Sequence, residues 1–272
     1  MRCMALVVGT RERTSSAQGN YKNLSTRLSF ISKYVYIKGK NGTAEPLFRP
    51  KLFFTASRPM STSNRLLEAH RALFEKATSH KLTQQLCAGT LPDRTLYVYL
   101  AQDLQFFQSG LRLLTKTTSV APNTNSLLIL AKKIGFFAND ENSYFHECLA
   151  HIADALPAAD QARFRESRLP QVDRYVQLLE RTAKSETSYA KLITFVYCME
   201  LVYLQWPKNC TVAVGLHWKY QTWIDLHAGD HFETWCEFLQ QEVDKCDYAE
   251  VSGTFAQVLQ LELEFFEACS AQ

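Results

Sequence analysis

Three carboxylates stand in places where carboxylates are costly. Asp103 falls on one face with Leu96, Tyr99, Phe106, Gly110 and Leu113, at the three- and four-residue spacings of a helix. Glu200 shares a face with Ile193, Val196, Tyr203 and Leu204, and Glu262 with Phe255, Leu259 and Phe266. An ionised acid inside an apolar stripe must be paired, hydrogen-bonded, or turned into a cavity that receives a ligand. Each acid taken singly also fits a rim position that periodicity misplaces. Three long helices each directing one acid inward point instead to a polar cavity. Tyr99, Phe106, Phe107, Tyr175, Tyr197 and Tyr203 can wall it, or can be plain core.

Other chemistries find less support. A di-iron bundle requires Glu-x-x-His on two helices. Here Glu147 and His151 are four apart and occur once. His70 is a lone histidine on an apolar face, with no glycine-rich helix to let a porphyrin lie close. Cys198 precedes Glu200 by two residues, so it points about 200° away on the helix and reads as structural. There is no phosphate-cradling glycine loop and no Gly-x-Ser-x-Gly elbow. No metal and no cofactor is expected.

The elements that position the acids are all helical. A helix begins near Ser63, its buried face marked by Leu66, Leu67, His70, Leu73 and Phe74. A short one covers 81–88, closed by Gly89. The long helix over 96–114 follows, then 125–137, and then 141–156 capped by Asp140. Pro157 opens 158–166 and Pro170 breaks the chain again. Further helices are predicted over 172–183, 188–206 (ended by Pro207), 217–226, 230–246 and 250–269. No convincing alternating strand and no internal repeat is found. The fold class is all-α, a bundle of about eight or more helices.

Composition bounds the rest. Residues 1–62 hold 11 Lys/Arg against 2 acids, a net charge of +9, whereas residues 63–272 hold 19 against 25, a net of −6. A mildly acidic body without a basic stripe argues against nucleic acid as a partner. No run approaches the roughly 20 apolar residues of a membrane helix. The eight cysteines form no Cys-x-x-Cys, and reduced, scattered thiols are the expected state. Residues 1–62 lack helical periodicity. They are open to three readings: a mitochondrial transit segment, a disordered tail, or a stretch preceding an authentic start at Met60. The folded domain is drawn at 63–272, and the compartment as cytoplasmic, or mitochondrial if the extension is a transit segment.

The segments HRALFEKATSHKLTQQLCAGTL, LAQDLQFF, MELVYLQW, WIDLHAGDHFETWCEFL and LQLELEFFEA resemble, in order and spacing, the TenA (thiaminase II-like) family, over about residues 63–270. The chain looks like a fungal member. The resemblance implies a heme-oxygenase-like helical fold, a homotetramer or dimer, and a pocket for an aminopyrimidine. The implied chemistry is hydrolysis of an amine from a degradation product of thiamin (amino-HMP or its formylamino derivative). By the same resemblance Asp103 holds the pyrimidine amino group and ring nitrogen, Tyr175 bonds in the pocket, Tyr203 follows the usual nucleophile by one turn, and Glu262 shuttles a proton.

Two departures matter. The usual cysteine nucleophile falls at Met199, which cannot attack, while Glu200 stands three before the tyrosine, as in an acidic branch of the family. Phe106 replaces a common tyrosine, and His227 replaces an aromatic. A carboxylate does suit an amidine-like edge. A buried acid of raised pKa can protonate a leaving amine or activate water, and Glu200 and Glu262 are the candidates. The alternative is a TenA-like protein that binds or regulates without turnover. A haem- or metal-binding protein on the same fold is a third reading.

Overall fold

The computed structural model describes residues 60–272, and the readings of the basic extension fall outside them apart from its last three residues. Twelve α-helices make up the described part, with no strand among them. Thr62–Ala69 (α1) and Arg71–Thr78 (α2) replace the single predicted first helix. His70 leaves helical geometry between them, at φ −120° and ψ 20°, and its ring packs on Phe255. Thr62, at the edge of the drawn domain, is buried and donates to the Cys246 carbonyl.

Lys81–Cys87 (α3) ends on Gly89, whose φ of +68° is open to glycine without strain. A Cβ there would meet Leu216 at 2.7 Å. Gly89→Ala is therefore expected to cost about 1–2 kcal/mol, read as a lower denaturant midpoint at unchanged slope.

Asp93–Ser119 (α4) is the spine. Its 27 residues run about 40 Å. Thr124–Phe136 (α5) passes into a π-turn, Phe137–Glu141, and then Asn142–His151 (α6). Asp140 thus caps nothing. It lies exposed inside the π-turn, because one extra residue keeps the helix going where periodicity predicts a fresh start. Ala158–Glu166 (α7) starts after Pro157 as predicted. Pro170 opens Pro170–Ser185 (α8) rather than only interrupting the chain; proline is tolerated in a first turn.

Tyr189–Lys208 (α9) carries Pro207 inside its last turn and ends one residue later, so only a terminal hydrogen bond is lost. Trp218–Leu226 (α10), Asp230–Val243 (α11) and Tyr248–Ser270 (α12) complete the chain. Helix α4 packs on α8, α5, α12 and α9, and α9 packs on α12 and α11. The three acid-bearing helices α4, α9 and α12 therefore meet one another in the core. No helix of the described residues is long and apolar enough to cross a membrane.

Candidate functional site

Asp103 projects from the middle of α4. Its neighbour Gln102 is fully buried and staples the α7–α8 connection. It accepts from the Leu169 amide at 2.8 Å and donates to the carbonyls of Phe164 (2.7 Å) and Ser167 (3.0 Å). The Gln-Asp pair thus divides its labour: the glutamine fixes backbone, and the aspartate faces a cavity.

That cavity has about 560 Å³ of empty space, its open mouth included. Its polar wall is Asp103, Glu141, Glu200, Tyr203 and His227, and its apolar wall includes Phe106, Phe107, Phe137 and Met199.

A hydrogen-bond chain ends on Asp103. Trp223 Nε1 donates to Tyr99 Oη at 3.2 Å, Tyr99 and Tyr203 hydroxyls lie 3.3 Å apart, and Tyr203 donates to Asp103 Oδ2 at 3.4 Å. Tyr203 has one hydroxyl proton and gives it to Asp103, so Tyr99 donates to Tyr203 and the order runs from Trp223 to Asp103. Burial pushes the Asp103 carboxyl up to about 7, with the two tyrosine hydroxyls pulling the other way. Near neutral pH it stands poised between acid and anion.

His227 closes one end of the cavity. Its Nδ1 lies 2.9 Å from the Trp223 carbonyl, which makes Nδ1 the protonated nitrogen and leaves Nε2 a bare acceptor. Burial pushes its pKa down to about 3, so the ring is neutral. It sits edge-on to Trp223 (4.4 Å) and beside Tyr203 (4.8 Å).

Of the six residues singled out from sequence, Asp103, Phe106, Glu200 and Tyr203 line the cavity together. Glu262 and Tyr175 do not line it. Both are buried one layer below, with Tyr175 Oη donating to Glu262 Oε1 at 2.5 Å and the Tyr175 ring 4.7 Å from that of Phe106. Burial, reinforced by the Asp103 and Glu200 carboxylates, pushes Glu262 up to about 8, while its bond to Tyr175 opposes the rise. Of the proposed aromatic walls, Phe106, Phe107 and Tyr203 serve. Tyr99 is one step behind, and Tyr197 packs on Phe255 away from the cavity.

Cys198 is buried off the cavity, 3.6 Å from the Phe255 carbonyl, with its thiol pushed well up by burial. The described cysteines are all free. Glu264 pairs at the surface with Arg174 at 2.6 Å, in keeping with its place off the buried stripe.

Two functional candidates escaped the sequence reading: Glu141, which lines the cavity, and Lys133, buried behind it. The π-turn shifts the register after Phe136 and brings Phe137 and Glu141 to the same wall, whereas Lys133 precedes it on the buried face of α5 with Ser126 and Leu130. Among the described residues no group of three or more His, Cys, Asp or Glu side chains is gathered closely enough to hold a metal ion.

The helical fold is shared with solved TenA homologues. One from Pyrococcus furiosus superposes with a TM-score of 0.66 at 17% identity, covering 76% of this chain and 99% of its own. A TenA family transcription regulator from Silicibacter sp. matches with a TM-score of 0.66 at 16% identity, over 78% and 97% of the two chains. A putative TenA-like thiaminase from Sulfolobus solfataricus gives 0.64 at 15%, also over 78% and 97%. No curated protein matches in sequence. The TENA/THI-4/PQQC family model matches residues 67–271, and the chain belongs to that family.

Proposed function

We propose that the protein is a hydrolase of thiamin salvage acting on an aminopyrimidine, amino-HMP or its formylamino derivative, and that it belongs to the acidic branch of its family. The reading rests above all on Asp103, a carboxyl buried in an aromatic cavity at the end of a fixed chain of donors. An aminopyrimidine offers an N–H of its exocyclic amine and an adjacent ring nitrogen. A carboxyl near its midpoint meets that edge with two hydrogen bonds whichever partner holds the shared proton. Phe106, Phe107 and Phe137 supply apolar faces for the flat ring.

Hydrolysis breaks the bond between the methylene carbon and the amine. Water gives its hydroxyl to the carbon and a proton to the departing amine. Glu200, at the cavity surface, is the group placed to take the proton from water. Glu262, protonated at neutral pH and bonded to Tyr175 one layer below the cavity, is the reservoir that returns one. Met199 lines the wall where the family's nucleophile is expected, and a thioether has no proton to lose, so no covalent enzyme intermediate is assigned.

The test is ammonia release by the purified full-length chain with a small panel of aminopyrimidines. Turnover of the aminomethyl pyrimidine is the expected result, and a protein inert toward the whole panel refutes the reading. Met199 in the wall also favours a second reading, a binding or regulatory protein without turnover. A thermal shift separates the two. At a ligand concentration 100 times Kd both predict stabilisation of about 2.7 kcal/mol, but only the hydrolase releases ammonia. The expected homotetramer or dimer is read by sedimentation of the same sample.

A further inference from the structure

Lys133 is a lysine almost wholly withdrawn from solvent, on the inner face of α5. Its Nζ lies over four rings: Phe136 at 4.4 Å, Phe137 at 4.5 Å, Phe232 at 4.7 Å and Trp235 at 5.5 Å. It forms no ion pair at contact distance among the described residues. An ammonium held by ring faces keeps its charge without neutralising a particular carboxylate. Phe137 belongs both to this cage and to the cavity wall, alongside Glu141 and Glu200, so the cation sits one layer behind two acids.

We propose that Lys133 is a positioning residue of the site: its caged ammonium, behind the wall that carries Glu141 and Glu200, keeps one of these two carboxyls ionised. This rests on the hydrolase reading for its consequence, but not for its geometry. Two carboxyls facing one cavity in a low dielectric do not both ionise, and one cation decides which does. The groups around them are Lys133 from α5, Cys236 and His231 from α11, His227 after α10, Asp103 from α4, Tyr203 from α9 and, one layer below, Glu262 from α12. His227 is neutral, and the Cys236 thiol is pushed up by burial, so Lys133 is the charge that breaks the tie.

The two acids respond unequally. Both carboxyls are raised by burial. For Glu200 the Lys133 cation is the foremost opposing influence. For Glu141 the repulsion from Glu200 outweighs the pull of Lys133, and its carboxyl stands well above the ordinary range. The Trp235 indole adds a weaker downward pull on Glu200, although its N–H makes no hydrogen bond of normal length. Burial lowers the lysine itself and Glu200 and Glu141 hold it up, so the charges are mutually dependent. A base for water and a proton donor thus stand on one wall.

Lys133→Met and the polar neutral Lys133→Gln test this in the full-length chain. In both, the acid limb of kcat/KM for ammonia release is expected to move up by about 1–2 pH units, and Lys133→Arg to restore it. Infrared difference spectra at neutral pH supply a readout free of turnover. The neutral variants gain a protonated-carboxyl band, which disappears when Glu200→Gln is added. A neutral variant that folds with an unmoved limb and no new band overturns the proposal and leaves Lys133 a structural group. If the wild-type chain turns over no pyrimidine, the function reading fails and the infrared result alone decides this one.

Discussion

Replacing Asp103 by Ala is expected to lower kcat/KM for the aminomethyl pyrimidine by at least about 100-fold and to abolish the ligand's thermal shift. Two hydrogen bonds are lost, both charge-assisted when the ring nitrogen holds the shared proton, and such bonds are worth about 1.5–3 kcal/mol each. Together they correspond to two or more powers of ten. Asp103→Asn separates holding from proton exchange. Its amide oxygen accepts from the exocyclic amine and its N–H donates to the neutral ring nitrogen, mimicking the protonated acid. Binding is expected to fall less than tenfold, with rate lost more heavily, because an amide cannot pass a proton to the ring. Equal loss in both variants would remove the proton-sharing role.

The same substitution carries a stability signature of fixed sign. The Asp103 carboxyl stands at about 7 when folded against 3.8 ordinarily, so the native state holds the proton more tightly than the unfolded chain. Stability attached to this group is fully present below about pH 4 and is lost as pH rises through about 7. Taken alone the loss is on the order of 4 kcal/mol by pH 8. Asp103→Asn removes it. The variant should be more stable than wild type at pH 8, with the gain vanishing toward pH 4, as read from urea midpoints. A binding site that costs stability and a substitution that regains it at the expense of function are two sides of one buried acid.

How far the site was legible follows from where each residue sits in the helical register. Asp103, Glu200 and Tyr203 lie in the middle of long helices with unbroken three- and four-residue spacing, so their inward direction could be read from apolar neighbours alone. Glu262 and Tyr175 were legible as buried. Periodicity gives the direction of a side chain but not its depth, so it could not tell that they stand one layer below the cavity. Lys133, on the buried face of α5 with Ser126 and Leu130, was passed over because a lysine ordinarily carries its ammonium to solvent, and Glu141 was illegible because it closes the π-turn. A five-residue turn advances the face by an extra residue, and the pattern across Phe136 reads as the end of one helix and the capped start of another. His70 shows the converse failure: the apolar spacing continues through a position where the backbone does not.

Glu262→Gln is expected to abolish turnover while leaving KM within about threefold, the opposite split from Asp103→Ala. Glu262 does not line the cavity, so it contributes little to ground-state binding. Its carboxyl, pushed up to about 8 by burial, is protonated at neutral pH and stands one hydrogen bond from Tyr175. Glutamine keeps the shape and still accepts from the Tyr175 hydroxyl, but it can neither release nor recover a proton. General acid–base catalysis lost at one position is worth about 100- to 10,000-fold, and that is the expected fall in kcat. Folding should not suffer. The folded carboxyl is raised above its ordinary 4.5, so the wild type loses stability as pH climbs from about 4.5 toward 8, and the amide has no such dependence. A higher unfolding midpoint at pH 8, with kcat gone and ligand-induced stabilisation retained, is the combined signature. Glu264→Gln, two residues on and bound to Arg174 at the surface, is the matched control with near-native kcat. If Glu262→Gln turned over at the wild-type rate, the proton reservoir would have to lie on the cavity wall itself, with Glu141 and Glu200 as the remaining acids.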